Sequence, residues 1–267
     1  MRARETAESG GSFLDLPITM YPAIYALLAL GTVPVLAVIL VLLSPFSPIM
    51  GFYGRLLASY LCLLICSTYG VLASIVLRLL GYPGLSQWAV GRAFKHTMSL
   101  TTGIRFPIIN AEHLTTRPAV FIGNHQTELD VLMLGSIFPP YCSVTAKSSL
   151  ARVPVLGWFM TLSGTVFIDR ADRGKAMTAF ESAAKHMKEG RQSVFIFPEG
   201  TRSYAKGPEM LPFKKGAFHL AVKAGVPIVP VVTANYAGVL DTSRRIFTAG
   251  NVPVVGEQAG RDDTRVG

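Results

Sequence analysis

The start of this chain carries almost no charge, and that limits its fold more than any other feature. No Asp, Glu, Lys or Arg occurs from Leu16 to Gly54, and none from Leu56 to Leu77. The run Met20–Leu43 exceeds the roughly 20 apolar residues that span bilayer hydrocarbon as a helix. Pro34 sits inside it, where a membrane helix tolerates a kink. Ser44-Pro-Phe-Ser-Pro48 breaks the run, and a second apolar stretch extends from Leu56 to Leu80 with Arg78 as its one charge. Its small residues, Ser59, Ser67, Gly70, Ala73 and Ser74, permit close helix–helix approach. These runs predict a leader over 1–19 and a membrane-embedded helical hairpin over 20–80. A cleavable signal peptide is not expected, because the first run is too long and Glu5, Glu8 and Asp15 interrupt the leader. Arg2 and Arg4 flank one end, and Arg78, Arg92 and Lys95 the other, against Arg55 alone in the expected connection. The positive-inside rule then places both ends in the cytosol. A shallow placement of the second run in the membrane interface is the alternative.

The rest of the chain is different in kind. Of the net charge of +9, all but +1 lies after residue 80. A basic domain beside a bilayer suits anionic lipid surfaces and phosphate-bearing molecules. Nucleic acid is disfavoured as a partner, since no basic cluster interleaved with aromatics and no zinc-finger spacing occurs. Cys62, Cys66 and Cys142 make neither a disulfide framework nor a metal set, so no metal site is expected.

From Ser86 onward, short apolar runs alternate with longer amphipathic ones. Helices are predicted from Ser86 to about Gly103, Leu129 to Phe138, Asp172 to Glu189 and Lys214 to Ala224. Asp172 caps the third, with Ala176, Phe180, Ala183, Ala184 and Met187 on one face. Strands are predicted at Ala119–Ile122, Cys142–Thr145, Thr165–Ile168, Ser193–Phe197 and Val226–Val232. The fold class is therefore α/β: a largely parallel or mixed sheet flanked by helices, preceded by the membrane hairpin.

In such sheets ligands collect at the carboxyl ends of strands. The first strand runs into Gly123-Asn-His-Gln-Thr-Glu-Leu-Asp130. The spacing lets the Asp130 carboxylate reach back to His125, fix its tautomer and leave the other ring nitrogen as a general base. That spacing alone carries little weight in a chain with five His. Its company adds more: Lys147-Ser-Ser-Leu150, Gly164-Thr-Val-Phe-Ile-Asp-Arg170 and Phe197-Pro-Glu-Gly-Thr-Arg-Ser203. A base beside Arg170 and Arg202 points to a hydroxyl nucleophile on a phosphate-bearing molecule, because guanidinium groups match phosphate geometry. Trp158 and Phe159 read as core residues.

These four segments, with Val226-Pro-Ile-Val-Pro-Val231, resemble in order and spacing the blocks of the glycerolipid acyltransferases, especially the 1-acyl-sn-glycerol-3-phosphate acyltransferases. The likeness covers about residues 90 to 240 and defines an expected acyltransferase domain over 86–250. The resemblance implies His125 as base, Asp130 as its partner, and Glu199, Gly200, Thr201 and Arg202 as acceptor-binding residues. Arg170 and Lys147 match family positions linked to acceptor phosphate. It further implies an acyl-CoA or acyl carrier protein donor used as a co-substrate, no bound cofactor, lysophosphatidic acid as acceptor, membrane lipids as surroundings, and an endoplasmic reticulum membrane with the catalytic domain facing the cytosol. An acyltransferase with another acceptor (glycerol-3-phosphate or another lysophospholipid) and a catalytically silent membrane scaffold are the rival readings. Residues 256–267, polar and Gly-rich, depart from the family's usual continuation and read as a disordered tail; loss of a last strand there would expose a sheet edge.

Overall fold

A computed structural model describes residues 21–259. The expected leader and the end of the expected polar tail lie outside the described residues. Two helices come first, α1 (Tyr21–Leu42) and α2 (Pro48–Leu79). By length and composition, α2 is a helix among the described residues that is apolar enough to cross a membrane. It begins eight residues before the predicted start, because Pro48 stands at its first turn, where a proline's fixed φ and missing N–H cost nothing. Arg55 is consequently inside the helix and not in a connecting loop, which removes the one charge that the topology argument had placed between two spans. Its guanidinium donates to Thr102 O (3.1 Å) and Phe247 O (3.2 Å).

The remaining elements follow in the order α3 (Ser86–Thr102), β1 (Ile104–Arg105), β2 (Ile108–Ile109), β3 (Val120–Gly123), α4 (Asp130–Ile137), β4 (Cys142–Lys147), α5 (Leu156–Leu162), β5 (Val166–Ile168), α6 (Arg173–Gly190), β6 (Ser193–Ile196), α7 (Gly216–Ala224), β7 (Ile228–Thr233), β8 (Leu240–Asp241), β9 (Ile246–Phe247), β10 (Gly250–Asn251) and β11 (Val254–Gly256). Local chemistry sets several of these boundaries. Asp172 accepts from Lys175 N (3.0 Å) and starts α6, while Gly103 and Gly225 close α3 and α7 in the left-handed conformation that glycine adopts without strain.

Seven strands form one sheet in the order β2-β11-β7-β3-β6-β4-β5. The five from β7 to β5 are parallel, with Val120 opposite both Val194 and Ile228. β11 joins β7 antiparallel, with Val254 opposite Thr233, so the sheet is mixed. The strand includes Gly256, and Glu257 N donates to Pro230 O (2.9 Å), so the residue from which a polar tail was expected still belongs to the sheet.

Central strands buried on both faces send alternate side chains to two cores. Phe121, Phe195, Val229 and Val231 meet Val90, Phe94 and Met98 of α3 and Leu132 and Met133 of α4. Val120, Ile122, Val194 and Ile196 meet Ala183, Ala184 and Met187 of α6 and Leu220 of α7. The chain travels from β3 outward to β4 through α4 and to β5 through α5, then back to β6 and β7 through α6 and α7. Right-handed crossovers in opposite directions put their helices on opposite faces, and the two cores reflect this.

Helix α2 attaches to the α3 face, and α1 packs on α2. Helix α2 runs beside the domain from end to end: Cys62 Sγ meets Thr101 Oγ1 and Cys66 Sγ meets Thr97 Oγ1, each at 3.5 Å, and Arg78 donates to Leu162 O (3.2 Å). At Gly70 a Cβ would lie 2.5 Å from the Phe159 ring, so only glycine lets α5 approach this closely. Phe159 is thus packed as expected, but its neighbour Trp158 is 59% exposed and does not belong to the core. It lies on the outer side of α5, beside α2, whose free face shows Tyr60, Leu64, Ile65, Leu72 and Val76.

Candidate active site

Five parallel strands place their carboxyl ends on one edge of the sheet. Across that edge come Thr233 from β7, His125 after β3, Phe197 after β6, Lys147 from β4 and Arg170 after β5. Strands about 4.8 Å apart put Lys147 roughly 10 Å from the His125 backbone and Arg170 roughly 14 Å.

His125 Nδ1 lies 2.6 Å from Asp130 Oδ2. The carboxylate is 1% exposed and the imidazole 16%. Asp130 is the first residue of α4, so its side chain sits at the positive end of a helix and turns back over the loop. It accepts Gln126 N on the same oxygen (2.7 Å) and the Tyr236 hydroxyl on the other. A carboxylate held by three donors is fixed in orientation. It holds Nδ1–H of the neutral ring as donor and leaves the Nε2 lone pair for the reacting side. Phe197 stacks on the imidazole, with ring centroids 4.1 Å apart and planes at 16°, which restricts rotation of the ring.

The backbone around His125 is equally constrained. His125 N donates to Glu199 Oε1 (2.6 Å), and Leu211 N to Glu199 Oε2 (2.9 Å). Glu199 is 3% exposed. Both of its oxygens are therefore engaged, and it acts on the two loops that it joins; the acceptor contact expected of it is not what its carboxylate faces. Ser203 N and Tyr204 N donate to His125 O and Gln126 O (2.9 and 3.1 Å), tying the Phe197–Ser203 loop to the His125 loop. Asn124 adds a clasp: its amide donates to Thr233 O and accepts from Thr233 N, both at 2.9 Å, so a side chain extends the β3–β7 ladder by one rung.

The basic residues fall into two groups. Arg202 pairs with Glu128 Oε1 at 2.9 Å, and Tyr204 donates to the same oxygen at 2.7 Å. Burial pulls the Arg202 guanidinium down, but the Tyr204 hydrogen bond and the Glu128 charge outweigh it and leave the group above its ordinary value. Burial, and then the positive charge of Arg202, lower Arg170. The two guanidinium groups thus sense each other, and among the described residues Arg170 makes no ion pair: Asp169 accepts from Ala171 N and Glu181 pairs with Lys223. Two guanidinium groups on the same edge of the sheet, one of them without an ion pair among the described residues, suit an anion. Thr201 and Lys147 are exposed. Gly200 has φ +71°, and a Cβ there would lie 2.8 Å from Lys214 Nζ, so its contribution is the turn that presents Arg202.

Tyr236, Phe197, Asn124 and Glu128 had no expected role. Three stand in or beside the recognised segments, and their contacts depend on side-chain direction that a pattern does not encode. Tyr236 is 106 residues from Asp130; its one sequence signal is its position just past the end of the fifth parallel strand. Burial, then the Asp130 charge and the bond to it, push its hydroxyl well above the ordinary phenol value, so it remains a donor.

Comparison with known proteins identifies the family and the fold. The family described as Acyltransferase matches residues 105–234. The 1-acyl-sn-glycerol-3-phosphate acyltransferase of Saccharomyces cerevisiae is 46% identical over 199 residues, 74% of this chain and 66% of that protein. The human 1-acyl-sn-glycerol-3-phosphate acyltransferase beta is 37% identical over 224 residues, 81% of this chain and 77% of that one. The crystal structure of the 1-acyl-sn-glycerophosphate acyltransferase PlsC of Thermotoga maritima has a similar fold, with a TM-score of 0.62 at 20% identity, over 82% of this chain and 87% of that one.

Proposed function

Because this chain belongs to the 1-acyl-sn-glycerol-3-phosphate acyltransferase family, we propose that it moves a fatty acyl group from a coenzyme A thioester to the sn-2 hydroxyl of lysophosphatidic acid, forming phosphatidic acid. The observation that carries the mechanism is the His125–Asp130 pair at 2.6 Å on a sheet edge that also bears two unlike arginines, one without an ion pair among the described residues and one tethered to Glu128. In this reading His125 Nε2 takes the proton of the acceptor hydroxyl as its oxygen attacks the thioester carbonyl. The tetrahedral intermediate collapses, the carbon–sulfur bond breaks, and the imidazolium returns the proton to the leaving thiolate. Asp130 stabilises the imidazolium between these steps. Arg170 and Arg202 hold the acceptor phosphate, with Lys147 at the outer rim.

The same reading places the protein on an endoplasmic reticulum-type membrane with the catalytic domain on the cytosolic side. Helix α2 has 32 residues, about 48 Å, and touches the domain from Arg55 to Arg78. Any depth that α2 reaches, α3 and α5 reach beside it. A helix lying along the interface, with its apolar face in one leaflet, meets this constraint. That is the shallow alternative, and it is favoured here over two crossings.

A panel of acceptors tests the assignment. Purified protein with labelled oleoyl-CoA should acylate lysophosphatidic acid in preference to glycerol-3-phosphate and lysophosphatidylcholine. Preference for either of the others would transfer the chemistry to a different acceptor, and no product from any would leave the scaffold reading.

A further inference from the structure

A groove of about 870 Å³ opens between α6 and α7, on the sheet face opposite α2. Its inner end is Phe197, the ring stacked on His125. Phe180, Ile196 and Leu220 form its floor. Arg173, Lys214, Lys215 and Lys223 stand along it beyond Arg170, against Asp169 and Glu181. Glu181 is taken by Lys223 at 2.5 Å, and Asp169 accepts from Ala171 N. Among the described residues Arg173, Lys214 and Lys215 have no ion-pair partner.

Resting on the acyltransfer reading, we infer that this groove is the donor subsite, and that Arg173 and Lys215 bind the phosphates of a coenzyme A thioester. Charge decides between the two substrates. Lysophosphatidic acid brings one phosphate, which Arg170 and Arg202 suffice to hold. The further cations need a co-substrate with several phosphates, and coenzyme A carries a diphosphate and a 3′-phosphate at the end of an uncharged arm. The groove has that order of properties: an apolar floor beginning at the ring against the base, with cations along its walls. From Lys215 to Lys223 α7 rises about 12 Å, so the walls extend far enough for an arm and not merely for a single headgroup. An acyl carrier protein would present one phosphodiester and a convex acidic surface, which fits a cleft between two helices less well.

The experiment compares the wild type with the Arg173→Gln/Lys215→Gln double variant, both shown to be folded by circular dichroism. KM is measured for oleoyl-CoA, for S-oleoyl-pantetheine (the same thioester without phosphates) and for lysophosphatidic acid, and binding of free coenzyme A is measured by calorimetry. Losing two charged contacts should raise KM for oleoyl-CoA and Kd for coenzyme A roughly tenfold or more. KM for oleoyl-pantetheine and for lysophosphatidic acid should stay within twofold. Equal effects on both donors, or a rise confined to lysophosphatidic acid, would overturn the subsite. So would a defect seen only with an acyl carrier protein donor. If the wild type formed no phosphatidate from either donor, the acyltransfer reading would fall, and calorimetry would still decide the subsite by whether coenzyme A binds and the variant weakens it.

Discussion

Replacing Tyr236 with Phe removes one oxygen from a site that is otherwise unchanged in volume. That hydroxyl donates to Asp130 Oδ1 and accepts from Thr127 N at 3.1 Å; Tyr236 and Asp130 are each only 1% exposed. A hydrogen bond to a charged group is worth about 1.5–3 kcal/mol, and a buried donor left without a partner costs about 1–3 kcal/mol. Thr127 N–H is that donor, so unfolding should occur several degrees earlier. If the bond to Asp130 is fully used when the imidazolium forms, its loss lowers kcat by roughly 10- to 100-fold. The acceptor KM should barely move, because Tyr236 touches neither arginine. The assay is initial-rate phosphatidate formation in mixed micelles, with near-ultraviolet circular dichroism for stability. A double-mutant cycle adds a readout that instability alone would not give: in an Asp130→Asn background the Tyr236→Phe change should cost little further activity. The pH dependence has a definite sign. The raised phenol value means that the hydroxyl's contribution to stability is complete below about pH 10 and is lost as pH rises through the folded value. The stability gap between the two proteins should therefore be constant at neutral pH and narrow only in strong alkali. A variant with wild-type kcat, or equal and additive losses in both backgrounds, would refute the positioning role.

Arg202→Ala should raise the KM for lysophosphatidic acid at least tenfold, whereas Glu128→Gln, which releases Arg202 from its ion pair, should not; steady-state kinetics distinguish them, and unchanged acceptor KM in Arg202→Ala would exclude it from the site. Gly200→Ala, at φ +71° with Lys214 2.8 Å from the new Cβ, should lose about 1–2 kcal/mol of stability together with activity, measured by chemical denaturation; wild-type values of both would contradict the role given to that turn. With Trp88 replaced by Phe, the fluorescence of Trp158 should be quenched in vesicles by lipids labelled near the headgroup more than by lipids labelled at the chain end, and deep quenching would instead place α5 within a crossing.

Much of the sheet was legible because its signals are local. Largely apolar runs of four to seven residues between turn residues marked β3, β4, β6 and β7, and Asp172 with its spaced apolar face marked α6. The start of α2 was not legible by counting apolar residues, since Arg55 interrupts the count. The reason for Arg55 lies in Thr102 and Phe247, whose carbonyls it satisfies across 47 and 192 residues. At the site, the same limit separates contacts within a loop from contacts between loops. His125 with Asp130 is a five-residue reach over one turn. Glu199 was selected by its segment, but its inward direction, toward His125 N and Leu211 N, is set by how two loops cross. Trp158 shows the converse: large and apolar, it looks like core until α5 is seen to turn its other face, with Phe159, onto Gly70.

In the proposed reaction His125 takes the proton from a lysophosphatidic acid hydroxyl during direct acyl transfer. This step is tested most directly by single-turnover formation of labelled phosphatidate from oleoyl-CoA and lysophosphatidic acid, with purified wild type and His125→Ala at matched fold and matched acceptor binding. The rate should be lower by roughly three to four orders of magnitude in the variant, with acceptor affinity unchanged. A His125→Ala protein that transfers the acyl group within tenfold of the wild-type rate would contradict that step.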